Sequence, residues 1–378
     1  MSTSVPPYSR KNPFSAPLSV NQRLTAESSE KDTRHFEISL KDSGLKYEVG
    51  DSLGIFPSND PELVDAILTK LGFSGGEEVP APHGALVPLK EALSHHYILT
   101  EPSKQLLEAI ATKDQSAAFL KDLLNPSVKT ELDRYLWGLD VLDPLTEFES
   151  ARFAPEEFVK LLRKLQPRLY SIASSQKAHP SSVHLTVAIV RYESYNRLRK
   201  GVCSTFLAER TQSVPVFIHS AKHFHIPEDS NAPLIMVGPG TGIAPFRAFL
   251  QERKAAGAKG RNWLFFGEQH SASDFFYQEE FESYRSEEIL THLSTAFSRD
   301  QDFKIYVQHR MLENAEEIYQ WLESGAYFYV CGDAARMAKD VDVALHSIVE
   351  KAGGKTPEQA KEYIEALKKT KHYRRDVY

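Results

Sequence analysis

Arg168-Leu169-Tyr170-Ser171-Ile172-Ala173-Ser174-Ser175 puts a cation, an aromatic ring and a run of hydroxyls on one short extended segment. The sequence closes on Arg375-Asp376-Val377-Tyr378, a carboxylate followed by an aromatic ring. A flat, electron-poor ring such as a flavin needs faces to stack on, a donor near its reactive nitrogen and positive charge for its phosphates. These two segments supply that set. Two glycine-bearing stretches between them extend the reading to a flavin and nicotinamide enzyme.

Gly238-Pro239-Gly240-Thr241-Gly242-Ile243-Ala244-Pro245 follows an apolar strand and opens a helix. Glycines let a backbone approach a phosphate, and helix N-terminal amides face the anion. Ile243 stands where the usual fingerprint has its third glycine, so the stretch reads either as a pyrophosphate turn or as a plain strand-to-helix connection. Gly201-Val202-Cys203-Ser204-Thr205, ahead of an apolar run, fits a phosphate or an N-cap made by Ser204 or Thr205. Ser298 and Arg299, with Lys304, Tyr306 and Gln308 close behind, fit a ribose 2′-phosphate and hence NADP. Glu268 competes as the ribose acid of an NAD site, and a solvated loop is the third reading of Ser298-Arg299-Asp300. Cys331, at the end of a strand, has no base nearby in sequence and reads as a packing cysteine rather than a nucleophile.

The elements that position these residues alternate in kind. His35–Leu40, Ser52–Phe56, Val183–Val190 and Val214–Ile218 have strand patterns, with polar surface chain ahead of the first. From Pro61, with Asp60 as N-cap, to about Pro167 apolar residues recur at helical spacing. A β unit, a small antiparallel barrel, is thus split by a helical insertion. From Ala232 strands at Leu234–Val237, Trp263–Phe266, Leu293–Phe297 and Tyr327–Val330 alternate with helices, among them Pro245–Ala255 and Asp274–Arg285, the mark of an open parallel sheet. The expected domains are 1–60 with 166–230 for the barrel, 61–165 for the insertion and 231–378 for the α/β domain.

The 378 residues carry a net charge of -6, with 41% hydrophobic and 25% charged residues. That argues against a nucleic-acid or anionic-membrane partner. The absence of an apolar signal core in Met1–Arg10 and of a spanning apolar run makes a cytoplasmic protein the expectation. Two cysteines, Cys203 and Cys331, cannot hold a four-cysteine cluster, and His95-His96, His219, His223 and His225 form no metal-ligand pattern. No metal site is expected.

In order and type, these motifs resemble those of the ferredoxin–NADP reductase superfamily. The helical insertion and the ending Arg374-Arg375-Asp376-Val377-Tyr378 narrow the resemblance to diflavin reductases of the NADPH–sulfite reductase flavoprotein type, without their FMN domain. It runs from about Tyr8 to Tyr378. It implies FAD binding by Arg168, Leu169, Tyr170 and Ser171, with Tyr170 stacking on the flavin and Ser171 reaching its N5 edge. Thr186, Val187, Ala188 and Tyr192 would line the FAD. Gly201, Val202, Cys203 and Ser204 would hold its pyrophosphate, and Thr100 matches a threonine that touches it. Tyr378 would cover the other flavin face. Gly240 and Thr241 would meet NADPH near its pyrophosphate and nicotinamide, Ser298, Arg299, Lys304, Tyr306 and Gln308 its adenosine and 2′-phosphate, and Asp340 matches another NADP contact. Ser171, Cys331 and Asp376, with Tyr378, resemble the group that assists hydride transfer.

The resemblance also implies what lies outside the chain. The family's full subunit opens with a flavodoxin-like FMN domain, and the residues ahead of His35 are too few for one. An FMN relay would come from another chain, or the acceptor would meet FAD directly. The implied function is hydride transfer from NADPH to FAD and electron delivery to a sulfite reductase haem and iron–sulfur subunit. The alternatives are a stand-alone flavodoxin– or ferredoxin–NADP reductase and a flavin-bearing assembly module without turnover.

Overall fold

The computed structural model describes residues 8–378; the opening stretch Met1–Pro7 lies outside them. By contacts the chain forms two compact units. The first holds the chain up to Gly54 with Leu169–Ala188 and Gln212–Tyr378; the second holds Ile55–Arg168 and Ile189–Thr211.

The first unit contains two sheets. A six-stranded sheet has the order Arg168–Ser171, Ser52–Ile55, Ser213–His219, Phe14–Arg23, Thr33–Ser39, Ser182–Ala188. Phe14–Arg23 runs antiparallel to both of its neighbours, and Thr33–Ser39 antiparallel to Ser182–Ala188. An isolated bridge between Ile172 and Leu185 joins the two edge strands, so the sheet closes on itself as a barrel without exposed edges. The strand Phe14–Arg23 corrects the expectation of irregular surface chain ahead of His35. Phe14, Ala16, Leu18 and Val20 recur at every second position along it, a strand period within an otherwise polar stretch. Only Ala16 is buried, and pairing on both sides holds the strand.

The second sheet is wholly parallel, in the order His292–Phe297, Asn262–Glu268, Leu234–Val237, Tyr327–Gly332, Tyr373–Val377. Alternate residues feed two cores: Ile235, Val237, Trp263, Phe265, Phe328 and Val330 on one face, Leu234, Met236, Leu264, Phe266, Tyr329 and Cys331 on the other. Strands buried on both faces read as continuous apolar runs, which is why they were legible. The order reverses between Leu234–Val237 and Tyr327–Gly332. A crevice at the carboxyl ends of such a pair is where open α/β sheets bind ligands.

One expected helix is divided. Asp274–Arg285 is two helices, Ser271–Asp274 and Gln278–Ser286, separated by Tyr277 at φ 58°. Left-handed backbone is unfavourable for a tyrosine. Here the buried hydroxyl finds partners in Thr186 and His35, which local periodicity could not reveal.

The second unit packs its helices around Val64, Ile67, Leu93, Leu106, Leu107, Ile110 and Phe158, all fully buried. Pro61 opens the first helix, Pro61–Leu71, as expected, but the Asp60 side chain makes no capping bond; its carboxylate pairs with Lys200 at 2.9 Å. A hairpin of Arg191–Ser194 and Arg197–Lys200 turns at Tyr195 and Asn196, at φ 50° and 56°. Positive φ at both central residues suits the tight turn of a two-residue hairpin loop.

Candidate functional site

Ser171 ends its strand with the hydroxyl donating to Asp376 Oδ2 at 2.8 Å. Asp376 lies on the edge strand Tyr373–Val377, in register with Cys331 on the neighbouring strand. The parallel pairing alone therefore brings a carboxylate and a thiol side by side at the switch of strand order. Cys331 is fully buried. Burial pushes its thiol well above the ordinary range, Asp376 adds to the rise, and a hydrogen bond with Ser171 only partly opposes it. The sulfur stays a protonated thiol at neutral pH, not a thiolate nucleophile. Two residues beyond Asp376, the exposed Tyr378 keeps its backbone in the sheet, its N–H donating to Gly332 O at 3.1 Å. Its hydroxyl lies 2.9 Å from Thr241 Oγ1.

Thr241 belongs to the glycine turn, which forms one tight turn, Gly240–Ile243, before the helix Ala244–Ala256 with Pro245 in its first turn. Gly242 is required by contact: a Cβ there would stand 2.1 Å from the carbonyl oxygen of Cys331. Gly240 is required by backbone, at φ 58°. Ile243, the departure from the usual fingerprint, is fully buried and packs beneath the sheet. The turn thus fits a nucleotide phosphate: it offers close backbone approach at the N-terminus of a 13-residue helix.

That helix also fixes the segment Arg168–Ser175. Arg247 Nη1 donates to Ala173 O at 2.8 Å, and Gln251 Oε1 accepts from Ser175 N at 3.0 Å. Arg247 Nε is paired with Glu280 at 2.7 Å and its guanidinium lies over the Tyr277 ring at 4.6 Å. Burial alone would raise Glu280, but Arg247, Gln251 and Tyr284 outweigh it and hold the carboxyl below its ordinary range. None of Arg247, Gln251, Tyr277 or Glu280 stood out in the sequence, since each is one polar residue in an ordinary helical stretch.

The same network collects His35, Glu37 and His184, which no sequence spacing groups. Their ligand atoms lie within 4.8 Å of one another. Arg247 Nη1 stands 3.4 Å from His184 Nδ1. A guanidinium only donates, so Nδ1 accepts and the ring proton sits on Nε2, facing Ser182 and Glu37. That places a proton and a cation where a metal would need a lone pair, and the trio works as a hydrogen-bond network. Burial, with His179, Arg247 and His35, holds His184 down at about 2.

The remaining expected residues fall in several places. Leu169 is 49% exposed beside the half-buried Tyr170. Thr186 is buried, with its hydroxyl 2.7 Å from Tyr277; a ligand would meet its backbone, as it would for buried Val187, while Ala188 is exposed. Gly201 N-caps the helix Val202–Thr205, so Ser204 and Thr205 lie inside it and neither is the N-cap. Ser204 Oγ accepts from Val190 N at 3.1 Å instead. Val202 and Cys203 are buried. Arg168 and Tyr192 are exposed, and Thr100 sits half-buried in a bend before the helix Lys104–Lys113.

Among the residues expected to meet NADPH, Gln308 Nε2 reaches Asp340 Oδ2 at 3.3 Å, so two expected contacts meet. Lys304 and Tyr306 are exposed. Arg299 pairs with Glu30 at 2.6 Å. Glu268 is engaged by Lys31 at 2.7 Å, with its side chain 3% exposed. This corrects the reading of Glu268 as a ribose acid: a carboxylate already paired with an ammonium has little left to offer two sugar hydroxyls.

A barrel beside a switch-point sheet, with a thiol, a hydroxyl and a carboxylate meeting where they join, suits cofactors that bring their own chemistry. That is the construction of flavin- and nicotinamide-dependent oxidoreductases. A family model described as FAD binding domain matches residues 6–206, and one described as oxidoreductase NAD-binding domain matches 236–342. The chain belongs to the FAD binding domain family. It is 46% identical over 375 residues to the sulfite reductase [NADPH] flavoprotein alpha-component of Bacillus subtilis (strain 168), covering 98% of this chain and 62% of that protein. It is 49% identical over 374 residues to the protein of that name from Vibrio cholerae serotype O1 (El Tor Inaba N16961), covering 98% and 60%. Zymomonas mobilis has another, 46% identical over 376 residues, covering 98% and 61%. The chain spans about three fifths of the length of these relatives. Among the described residues no helix is long and apolar enough to cross a membrane.

Proposed function

We propose that this chain passes reducing equivalents from NADPH to FAD and onward to a sulfite reductase haem and iron–sulfur subunit. The observation that carries the reading is the meeting of Ser171, Cys331 and Asp376, with Tyr378 on Thr241, at the switch of strand order. The names of the relatives support the NADPH preference and a place in a sulfite reductase.

FAD would be held by Arg168, Leu169, Tyr170, Ser171, Thr186, Val187, Ala188, Tyr192, Thr100 and Gly201–Ser204, and NADPH by Gly240, Thr241, Ser298, Arg299, Lys304, Tyr306, Gln308 and Asp340. When bound, the flavin takes two electrons as a hydride from the nicotinamide and can release them singly. The chain's own groups position and exclude. Ser171 is oriented by Asp376, leaving its hydroxyl oxygen as acceptor or its proton as a shared donor. Cys331, buried beside Ser171 and Asp376 and held as a thiol, adds no charge there. The Tyr378 ring would cover one flavin face and would have to move for a nicotinamide to stack there. The domain assignment that goes with this is 1–60 with 166–230 for FAD, 61–165 as connector and 231–378 for NADP.

Anaerobic titration of the purified chain with NADPH and then NADH, following flavin absorbance, tests the reading. One FAD per chain, bleached by NADPH at lower concentration than by NADH, is expected. A chain that takes up no flavin, or one whose flavin neither nucleotide reduces, would sink it. Capture of a flavodoxin or ferredoxin instead of the haem subunit would move the acceptor to the stand-alone reductase alternative.

A further inference from the structure

Glu268 ends the strand Asn262–Glu268 between the two places proposed for the coenzyme phosphates. On one side, a Cβ on Gly240 of the glycine turn would stand 3.5 Å from Glu268 Oε1. On the other, Ser298 N donates to Glu268 O at 2.9 Å, which ties Glu268 to the start of the proposed 2′-phosphate site. The adenosine ribose joins a pyrophosphate to a 2′-phosphate, so a coenzyme held at both would carry its ribose past Glu268. A free carboxylate at the end of a second strand accepts hydrogen bonds from an unmodified ribose diol and repels a 2′-phosphate.

This carboxylate is not free. Lys31 Nζ contacts both of its oxygens, at 2.8 and 2.7 Å, and Gln269 N donates to Oε2 at 2.8 Å. Lys31 lies in the connection between the barrel strands Phe14–Arg23 and Thr33–Ser39, and that connection is built to present it. The Lys31 carbonyl oxygen accepts from Thr25 Oγ1 at 2.9 Å and from Arg23 Nη2 at 3.0 Å. Its N–H donates to Ser29 Oγ at 3.0 Å. Ser29 Oγ in turn donates to the fully buried Asp274, and Ala26 N donates to Ser273 O at 2.8 Å. The Lys31 backbone is thus fixed on both sides, which aims the side chain at Glu268. The adjacent Glu30 pairs with Arg299, so one connection touches groups on both sides of the ribose path.

From this juxtaposition we propose that Lys31 sets coenzyme specificity. By holding the Glu268 carboxylate it denies an unmodified ribose diol its acceptor and removes a negative charge from the path of a 2′-phosphate. Lys31 acts through Glu268 and is a positioning residue. The inference rests on the NADPH assignment above.

The test uses two probes that share adenosine and a 5′-phosphate and differ only in the 2′ group: adenosine 2′,5′-bisphosphate and adenosine 5′-monophosphate. Their affinities are measured by calorimetry on the purified chain as wild type, Lys31→Met, Lys31→Arg, Glu268→Gln and the double variant Lys31→Met with Glu268→Gln. The shared 5′-phosphate cancels from the ratio of the two affinities. Freed in Lys31→Met, the Glu268 carboxylate should cut the preference for the bisphosphate about 5- to 20-fold, the effect of one charge facing a phosphate dianion in a solvated cleft. Lys31→Arg should keep the preference, and the double variant should restore it. Glu268→Gln alone leaves no buried carboxylate without a partner and releases the ammonium, so it should raise the preference a few-fold even if Lys31→Met does not fold. An unaltered ratio in folded Lys31→Met, or a fall that the double variant does not reverse, would overturn the proposal. So would an unchanged or lower preference in Glu268→Gln. A wild type that binds both probes equally would instead overturn the NADPH assignment, and this inference with it.

Discussion

His184 is 1% exposed and is held neutral, at about 2, by burial and by the neighbouring His179, Arg247 and His35. In the unfolded chain its imidazole titrates near 6.5. As pH falls below 6.5 the unfolded chain takes up a proton that the native protein refuses, so stability drops. With the native value at about 2, the loss from this one residue between pH 7 and pH 5 is about 2 kcal/mol, and about 1.4 kcal/mol for each further unit. The groups facing it, Arg247, His179, His35 and Glu37, stay in place in the variant His184→Gln. Urea unfolding of wild type and His184→Gln at pH 7 and pH 5, followed by near-ultraviolet circular dichroism, isolates the term. Wild type should lose about 2 kcal/mol more than the variant over that interval, whatever the variant's absolute stability. Parallel losses would mean that His184 is not buried neutral, and the hydrogen-bond assignment with Arg247 donating to Nδ1 would fall.

Gly242→Ala forces a Cβ to within 2.1 Å of the Cys331 carbonyl oxygen; backbone must move, at roughly 1–3 kcal/mol, and thermal unfolding should register it. An unchanged melting temperature would refute the close approach. Arg299→Ala should weaken NADPH about 10- to 150-fold, the worth of one charge-assisted contact, and spare NADH; equal losses for both would refute the 2′-phosphate role. Because Arg299 is paired with the exposed Glu30, Glu30→Gln should tighten NADPH binding a few-fold and leave NADH alone, read by the same titration. Tyr378→Ala removes the ring over the proposed flavin face and should narrow the preference for NADPH over NADH; an unaltered preference in steady-state kinetics would count against that cover.

Where residues act through their neighbours in sequence, the chain alone was enough. Gly238 to Pro245 needed only a preceding strand and a following helix to be read as a tight strand-to-helix turn, and both are local patterns. The parallel strands were legible because burial on both faces leaves continuous apolar runs. Asp60-Pro61 marked the start of the first helix for the same reason. The break at Tyr277 and the edge strand Tyr373–Val377 were not legible, because a buried hydroxyl and pairing decide them rather than periodicity; the barrel strand Phe14–Arg23 does carry a period of two, in Phe14, Ala16, Leu18 and Val20.

For the site, sequence supplied the types and tertiary structure supplied the meetings. Resemblance grouped Ser171, Cys331 and Asp376, but only the register of Cys331 with Asp376 across two parallel strands explains why they converge. Arg247 and Gln251, with Glu280 paired to Arg247, hold the segment Arg168–Ser175 through contacts that no spacing encodes. Glu268 looked like a ribose acid until Lys31, 237 residues away in sequence, was found on it. Local patterns follow from backbone geometry repeated over a few residues. A side chain's partner, its charge state and its exposure depend on which distant segments fold against it, and those only the tertiary structure decides.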